Sequence, residues 1–219
     1  MTFLLAYLLI IQGNQSSLNW ERIYIDESLS VELPENHQVI DTLGQVVYLA
    51  ETDYSIITLS SVLESSLPSG ESIPSNSIEE LNKFYDGFEK GTTNSKNGRI
   101  TESERIVLDS LVARTFRADY PNGETILNQL VVVRDRIYFA ATRFNTENLD
   151  HARSESSRYF SSFQLNVDPN KQLKNQSTDH SIAYKVGYFI GKSIGYLVIP
   201  LVIVIVVVIL RKVRKKRVE

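Results

Sequence analysis

Not one of the 219 residues is cysteine, and that single absence removes disulfides, thiol nucleophiles, thiolate-bound zinc, iron–sulfur clusters and an N-terminal lipid-modified cysteine together. Any part of the chain outside a reducing compartment must then be held by its core alone. Histidine is scarce as well. His37, His151 and His180 fall into no metal-binding spacing such as H-x-x-x-H and read as exposed polar residues. No serine sits in a G-x-S-x-G elbow, and no D-x-D-x-D-G calcium loop occurs. A Ser–His–Asp triad assembled from distant segments is left open by sequence. On motif grounds the chain has no catalytic residue, no cofactor-binding residue, no metal ligand and no cofactor, and is not expected to be an enzyme.

What is present is globular composition: 42% hydrophobic and 22% charged residues, with 10 glycines and 6 prolines. The net charge of −3 hides an asymmetry, because residues 211–219 carry six Lys/Arg against one Glu, leaving −8 for the remainder. Two different surroundings are implied. The arginines Arg114, Arg117, Arg134, Arg136 and Arg143 interleave with Phe116, Tyr120, Tyr138 and Phe144. In a domain that is net acidic this pattern predicts cross-strand ion pairs and no nucleic-acid partner. The carboxylate pairs Asp26/Glu27, Glu79/Glu80 and Glu102/Glu104 likewise read as solvated surface.

The two ends are apolar in different ways. Residues 3–11 (FLLAYLLII) would make a helix of roughly 14 Å against about 30 Å of bilayer hydrocarbon. Residues 1–16 are therefore expected to be a secretory signal peptide, although no Lys or Arg precedes the apolar run. Residues 194–210 are 17 without a charge, and extending back to Val186 adds only Lys192. Residues 186–210 are predicted to form one C-terminal transmembrane helix. The basic residues Arg211, Lys212, Arg214, Lys215, Lys216 and Arg217 follow. They place 211–219 as a cytoplasmic anchor under the positive-inside rule, with attraction to anionic lipid.

Within GYFIGKSIGYLVIP, residues 187–200, Gly191-Lys192-Ser193 imitates the end of a phosphate-binding loop. The loop needs four residues between its first glycine and Gly-Lys-Ser, and only three separate Gly187 from Gly191. The same spacing puts Ala183, Gly187, Gly191 and Gly195 on one helix face. That is the small-xxx-small pattern through which membrane helices approach closely. It is read either as a helix–helix contact, including a homodimer through the transmembrane helix, or as the ordinary abundance of glycine in such helices.

Between the ends, residues 17–165 are expected to be an exported α+β domain, and 166–185 a polar tether reaching about 23 Å. Strands are predicted near residues 28–33, 45–50, 55–62, 104–108, 111–120, 124–133 and 137–144, with short turns such as Pro121–Gly123 making the later neighbours antiparallel. Ser77 and Glu80 form an S-x-x-E capping box opening a helix whose stripe is Ile78, Leu81, Tyr85 and Phe88, ending near Gly91. A second helix over 146–162 presents Leu149, Ala152, Ser156, Phe160 and Phe163. The strands 124–133 and 137–144 are apolar on both faces, so both faces are covered. The predicted architecture is an α/β/α sandwich with a mostly antiparallel central sheet.

The opening SLSVELPENHQV, the hairpins ARTFRADYPNGETILNQLVVVRDRIYFAATRF and the closing YFSSFQL together resemble the Mog1/PsbP-like fold found in small exported bacterial proteins. About 130 residues are covered, by a rhythm of elements and not by a motif. The resemblance implies the sandwich and a binding or accessory role, since the fold carries no shared catalytic constellation. Exported relatives are often lipoproteins, which this cysteine-free chain departs from. The expectation is thus a single-pass protein, its N-terminal domain outside the cytoplasm and its C-terminus inside. The lack of cysteine points to a bacterial cytoplasmic membrane. The domain would bind a protein or small ligand near the membrane surface. The alternatives are a sensor that signals by transmembrane helix association, a plain anchor subunit, and an enzyme with an unrecognised site.

Overall fold

The computed structural model describes residues 19–42, 45–67, 73, 76–173 and 182–193. The expected signal peptide, residue Gly195, most of the transmembrane run and the basic tail lie outside them. No helix among the described residues is long and apolar enough to cross a membrane.

Among the described residues ten strands form two sheets: β1 Trp20–Tyr24, β2 Leu29–Pro34, β3 Gln38–Thr42, β4 Gln45–Glu51, β5 Ile56–Leu63, β6 Arg99–Leu108, β7 Leu111–Asp119, β8 Glu124–Val133, β9 Arg136–Asn145 and β10 Gln164–Leu165. The large sheet has the order β3-β4-β5-β9-β8-β7-β6 and the small one β1-β2-β10. Every pairing is antiparallel. The seven predicted strands are all present. β6 begins five residues before its predicted start, at Arg99, and the whole of β1, β3 and β10 is additional to the sequence reading.

Three α-helices among the described residues complete the fold: α1 Ile78–Asn94, α2 Leu149–Ser161 and α3 at residues 183–193. At the start of α1 the Ser77 hydroxyl accepts the Glu80 amide at 3.1 Å, and the Glu80 carboxylate accepts from both nitrogens of Asn76 at 3.1 and 2.8 Å. This secures amides that have no partner within the helix, and it sets negative charge at the positive end of the helix dipole. The buried stripe is Leu81, Phe84, Tyr85 and Phe88, while Ile78 is 38% exposed because it precedes the turn that first meets the sheet. The helix continues past Gly91 to Asn94.

Alternation along β8 and β9 feeds two cores. Ile126, Leu130 and Val132 with Ile137, Phe139 and Ala141 pack under α1, joined by Val186 and Ile190 of α3. Val131, Val133, Tyr138 and Ala140 face the other way, covered by Tyr159 and Phe163 at α2 and by Leu29, Val31 and Leu33 of the small sheet. The sandwich is thus α+β with a fully antiparallel centre. One cover is a helix pair, and the other is a helix beside a three-stranded sheet.

The described part of the expected polar tether before residue 174 is fastened to the domain. Gln172, 3% exposed, accepts the Val112 amide at 2.9 Å and donates to the Val112 and Val132 carbonyls at 2.7 and 3.2 Å. Leu173 packs on the α1 core. The β7–β8 ladder stops at Ala113↔Val131, so the backbone groups of Val112 and Val132 need other partners. The Tyr85 hydroxyl supplies more of them, donating to Val112 O at 2.9 Å and accepting from Val132 N at 3.1 Å. Two side chains therefore close the open end of a sheet ladder.

The turns fall at two ends of the sheet. Residues 95–98, 120–123 and 146–148 lie where α1 ends and β6 begins, and residues 109–110 and 134–135 lie at the opposite end.

Candidate functional site

The pattern Ala183, Gly187, Gly191 is used within this chain. A β-carbon on Gly187 would fall on the Phe84 carbonyl oxygen and 3.0 Å from the Phe88 amide nitrogen, and one on Gly191 would fall on the Phe88 carbonyl oxygen. The face that receives them is also built of glycine. A β-carbon on Gly87 would fall on the Tyr184 carbonyl oxygen, and one on Gly91 on that of Tyr188, 2.8 Å from the Lys192 amide nitrogen. Two helices meet backbone to backbone, with Ala183 fully buried beside them and Thr92 donating to Gly191 O at 3.3 Å. The contacts advance together along both chains, Gly87 with Tyr184 and Gly91 with Tyr188, so α3 runs parallel to α1. The signal that could have found this was present, since Gly87 and Gly91 repeat the spacing of Gly187 and Gly191.

An open groove of about 510 Å³ lies at the sheet end that carries residues 109–110. Its floor is Leu29 and Leu165, and Tyr24, Asp26, Glu27, Ser30, Asp109, Gln164 and Asn166 line it. Tyr24 stands 79% exposed on the rim. The turn that follows β1 is shaped by Asp26, whose Oδ1 accepts from the amides of Ser28 and Leu29 at 2.8 and 3.1 Å. Its Oδ2 accepts the Tyr138 hydroxyl at 2.7 Å and pairs with Arg136 at 3.1 Å. Burial, and then the adjacent Asp26 carboxylate, push the Tyr138 hydroxyl far above the ordinary phenol range, so it stays a donor. Asp109 and Ser110 adopt φ of 44° and 71°, the twist a two-residue hairpin turn requires. Asp109 then holds β10 by accepting the Leu165 amide at 2.7 Å. Two of the three carboxylates are thus committed to structure, and Glu27, Tyr24, Gln164 and Asn166 remain as the exposed chemistry. The sequence marked Asp26/Glu27 as a pair, but Asp109 comes from the β6–β7 turn and Asn166 from just beyond β10, and they meet only in the folded chain.

The other charged clusters are largely paired within the fold, although Arg114 Nε is buried without a hydrogen-bond partner. Arg114 pairs with Asp86 at 2.8 Å and Glu89 at 3.5 Å, Arg117 with Asp119 at 2.9 Å and Glu102 at 3.2 Å, and Arg143 with Glu124. With Arg136 on Asp26, four of the five interleaved arginines carry ion pairs. Burial raises the Glu89 carboxyl, partly offset by a 2.8 Å hydrogen bond from Ser103 and by Arg114. At Asp119 burial acts upward, but the bonds from Arg117 and Thr125 outweigh it and leave the carboxyl lowered. Glu155 accepts from Thr52 and Ser55 at 2.7 and 2.6 Å, while His151 stacks on Tyr54 with ring centres 4.4 Å apart. Among the described residues no hydrogen bond joins His151 to Ser55 or Glu155. His37 is half-buried, held by the Pro34 carbonyl at 3.0 Å and beside Glu21. Among the described residues no group of three His, Asp or Glu could hold a metal.

A solved structure of PsbP (CyanoP) from the cyanobacterium Synechocystis superposes with a TM-score of 0.50, covering 70% of this chain and 96% of that one at 14% identity. The chain has the PsbP/Mog1-like fold. At this identity the likeness speaks for the fold alone. A Pseudomonas aeruginosa protein of unknown function aligns over 73% of this chain and 99% of that one with 9% identity and a TM-score of 0.37, too loose to argue from. No family model matches the sequence, and no curated protein matches it. Within the PsbP-like fold of this chain the groove lies on the small sheet and the 109–110 turn, while the glycine contact lies across the opposite face of the large sheet.

Proposed function

We propose that this protein is a single-pass, membrane-anchored accessory protein whose PsbP-like domain, held outside the cytoplasm, binds a partner group in the groove of Tyr24, Glu27, Gln164 and Asn166. The observation that carries the reading is the uncharged run of residues 194–210 with six basic residues behind it, beginning directly after a helix packed on the domain. An acidic, hydrogen-bonding rim over an apolar floor suits a protein or small ligand that presents an amine or guanidinium beside an aliphatic group. No catalytic role is proposed, because Asp26 and Asp109 are tied to backbone amides and the sequence supplies no catalytic motif to go with Glu27. Signalling through Gly187 and Gly191 would require α3 to leave α1 first, which makes the sensor reading secondary.

The test is native mass spectrometry of full-length protein released gently from its own membranes, followed by in-membrane cross-linking from position 27. A bound partner that is lost in Glu27→Lys supports the reading. Protein recovered in the soluble fraction after alkaline carbonate washing would overturn the anchor, and a bare protein with no cross-link would overturn the binding role.

A further inference from the structure

We infer that the glycine contact fixes the domain's orientation on the bilayer. The sheet end carrying turns 95–98 and 120–123 faces the lipid headgroups, with Phe189 inserted among them, and the groove faces away. This rests on the anchored reading of residues 194–210.

α1 ends where β6 begins, and α3 runs parallel to it, so residue 193 emerges at the end of the domain that carries residues 95–98 and 120–123. The next residue in the chain opens the uncharged run. In sequence no residue separates α3 from that run. The backbone of α3 touches that of α1 over two helical turns, and Val186 and Ile190 are buried in the shared core. The groove contains Asp109, at the opposite end of β6.

The outer face of α3 then acquires a reason. Phe189 is 45% exposed and Tyr184 43%, on a helix that also carries Lys185 and Lys192. Phe189 precedes residue 193 by about 6 Å of helix rise, inside a headgroup layer of about 5–8 Å per side. Tyr184 stands about 14 Å back, beyond that layer. Aromatic side chains are favoured at this depth, and Lys192, one residue before 193, meets anionic headgroups there. The occupant of the exposed face around Phe189 is therefore the lipid surface.

Because the natural chain lacks cysteine, single sites can be labelled cleanly. Full-length variants Phe189→Cys, Asn122→Cys and Glu27→Cys, each carrying an environment-sensitive fluorophore, are reconstituted into vesicles of phosphatidylcholine with a minority of phosphatidylglycerol. They are then quenched by headgroup-nitroxide lipid. Quenching several-fold stronger at 189 than at 27, with 122 in between, is the expected result. Equal quenching at 122 and 27 in protein that floats with the vesicles would overturn the orientation alone. Failure to float would overturn the anchor and the orientation with it. All three positions are exposed, so labelling leaves the core untouched, and Gly191→Ile serves as the contrast: it should still float but lose the difference between 122 and 27.

Discussion

The two faces of the large sheet are covered by different means. On one, α2 and a small sheet bury ordinary side chains: Tyr159 and Phe163 meet Leu29, Val31 and Leu33, and the cover is tied down by β10 pairing with β2 and by the Asp109–Leu165 bond. On the other, α1 packs on the sheet and α3 packs on α1 through glycine, with no side chain between the two backbones. The first kind of contact tolerates repacking, because side chains have alternative rotamers and volumes. The second does not, since any added carbon lands on a backbone carbonyl.

Breaking that contrast should be easiest at the glycines. Gly87→Ile is expected to release α3, costing about 3 kcal/mol and opening Lys185 and Lys192 to trypsin. Trp20, the single tryptophan and a residue of the other face with Arg158 4.7 Å over its ring, should keep its emission. Limited proteolysis beside fluorescence would separate the two faces. Parallel loss of both signals would show that they unfold as one unit.

A smaller effect is expected where a side chain completes the backbone. Gln172→Ala removes the partner of the Val112 amide and a donor to Val132, and should cost about 1–3 kcal/mol in urea unfolding. Ser77→Ala should cost about 1 kcal/mol, confined to the start of α1 and visible as faster amide exchange there. An unchanged exchange pattern would refute the cap's role.

The least effect is one of pH. The Asp119 carboxyl lies below its usual value of 3.8, so its stabilisation is fully present above that value and is lost as the pH falls through the lowered native one. Asp119→Asn should flatten the acid limb of the stability curve and leave its shape above about pH 5 unchanged. A wild-type acid limb in the variant would count against this assignment.

Much of the fold was legible because periodicity reports burial. The two-faced strands β8 and β9, the Ser77 cap and the short hairpin turns are local signals, and each is found where local chemistry places it. β1 and β3 escaped because WERIY and QVIDT show no clean alternation, their sheet faces being only partly buried. β10 is two residues long and exists only because β2 and Asp109 receive it. The groove was illegible for the same reason, since its lining comes from segments brought together by that pairing.

The glycine face marks the boundary most clearly. Spacing alone determines that Ala183, Gly187 and Gly191 share one side of a helix and that another backbone can approach them, because helical geometry is local. It does not name the approaching helix, and Gly87 and Gly91 lie about a hundred residues earlier in the chain. Composition alone determines the absence of thiol chemistry, the apolar run at 194–210 and the charge behind it. Which end of the domain residue 193 reaches was decided only when α1 and α3 packed in parallel, because direction is a property of contacts between segments.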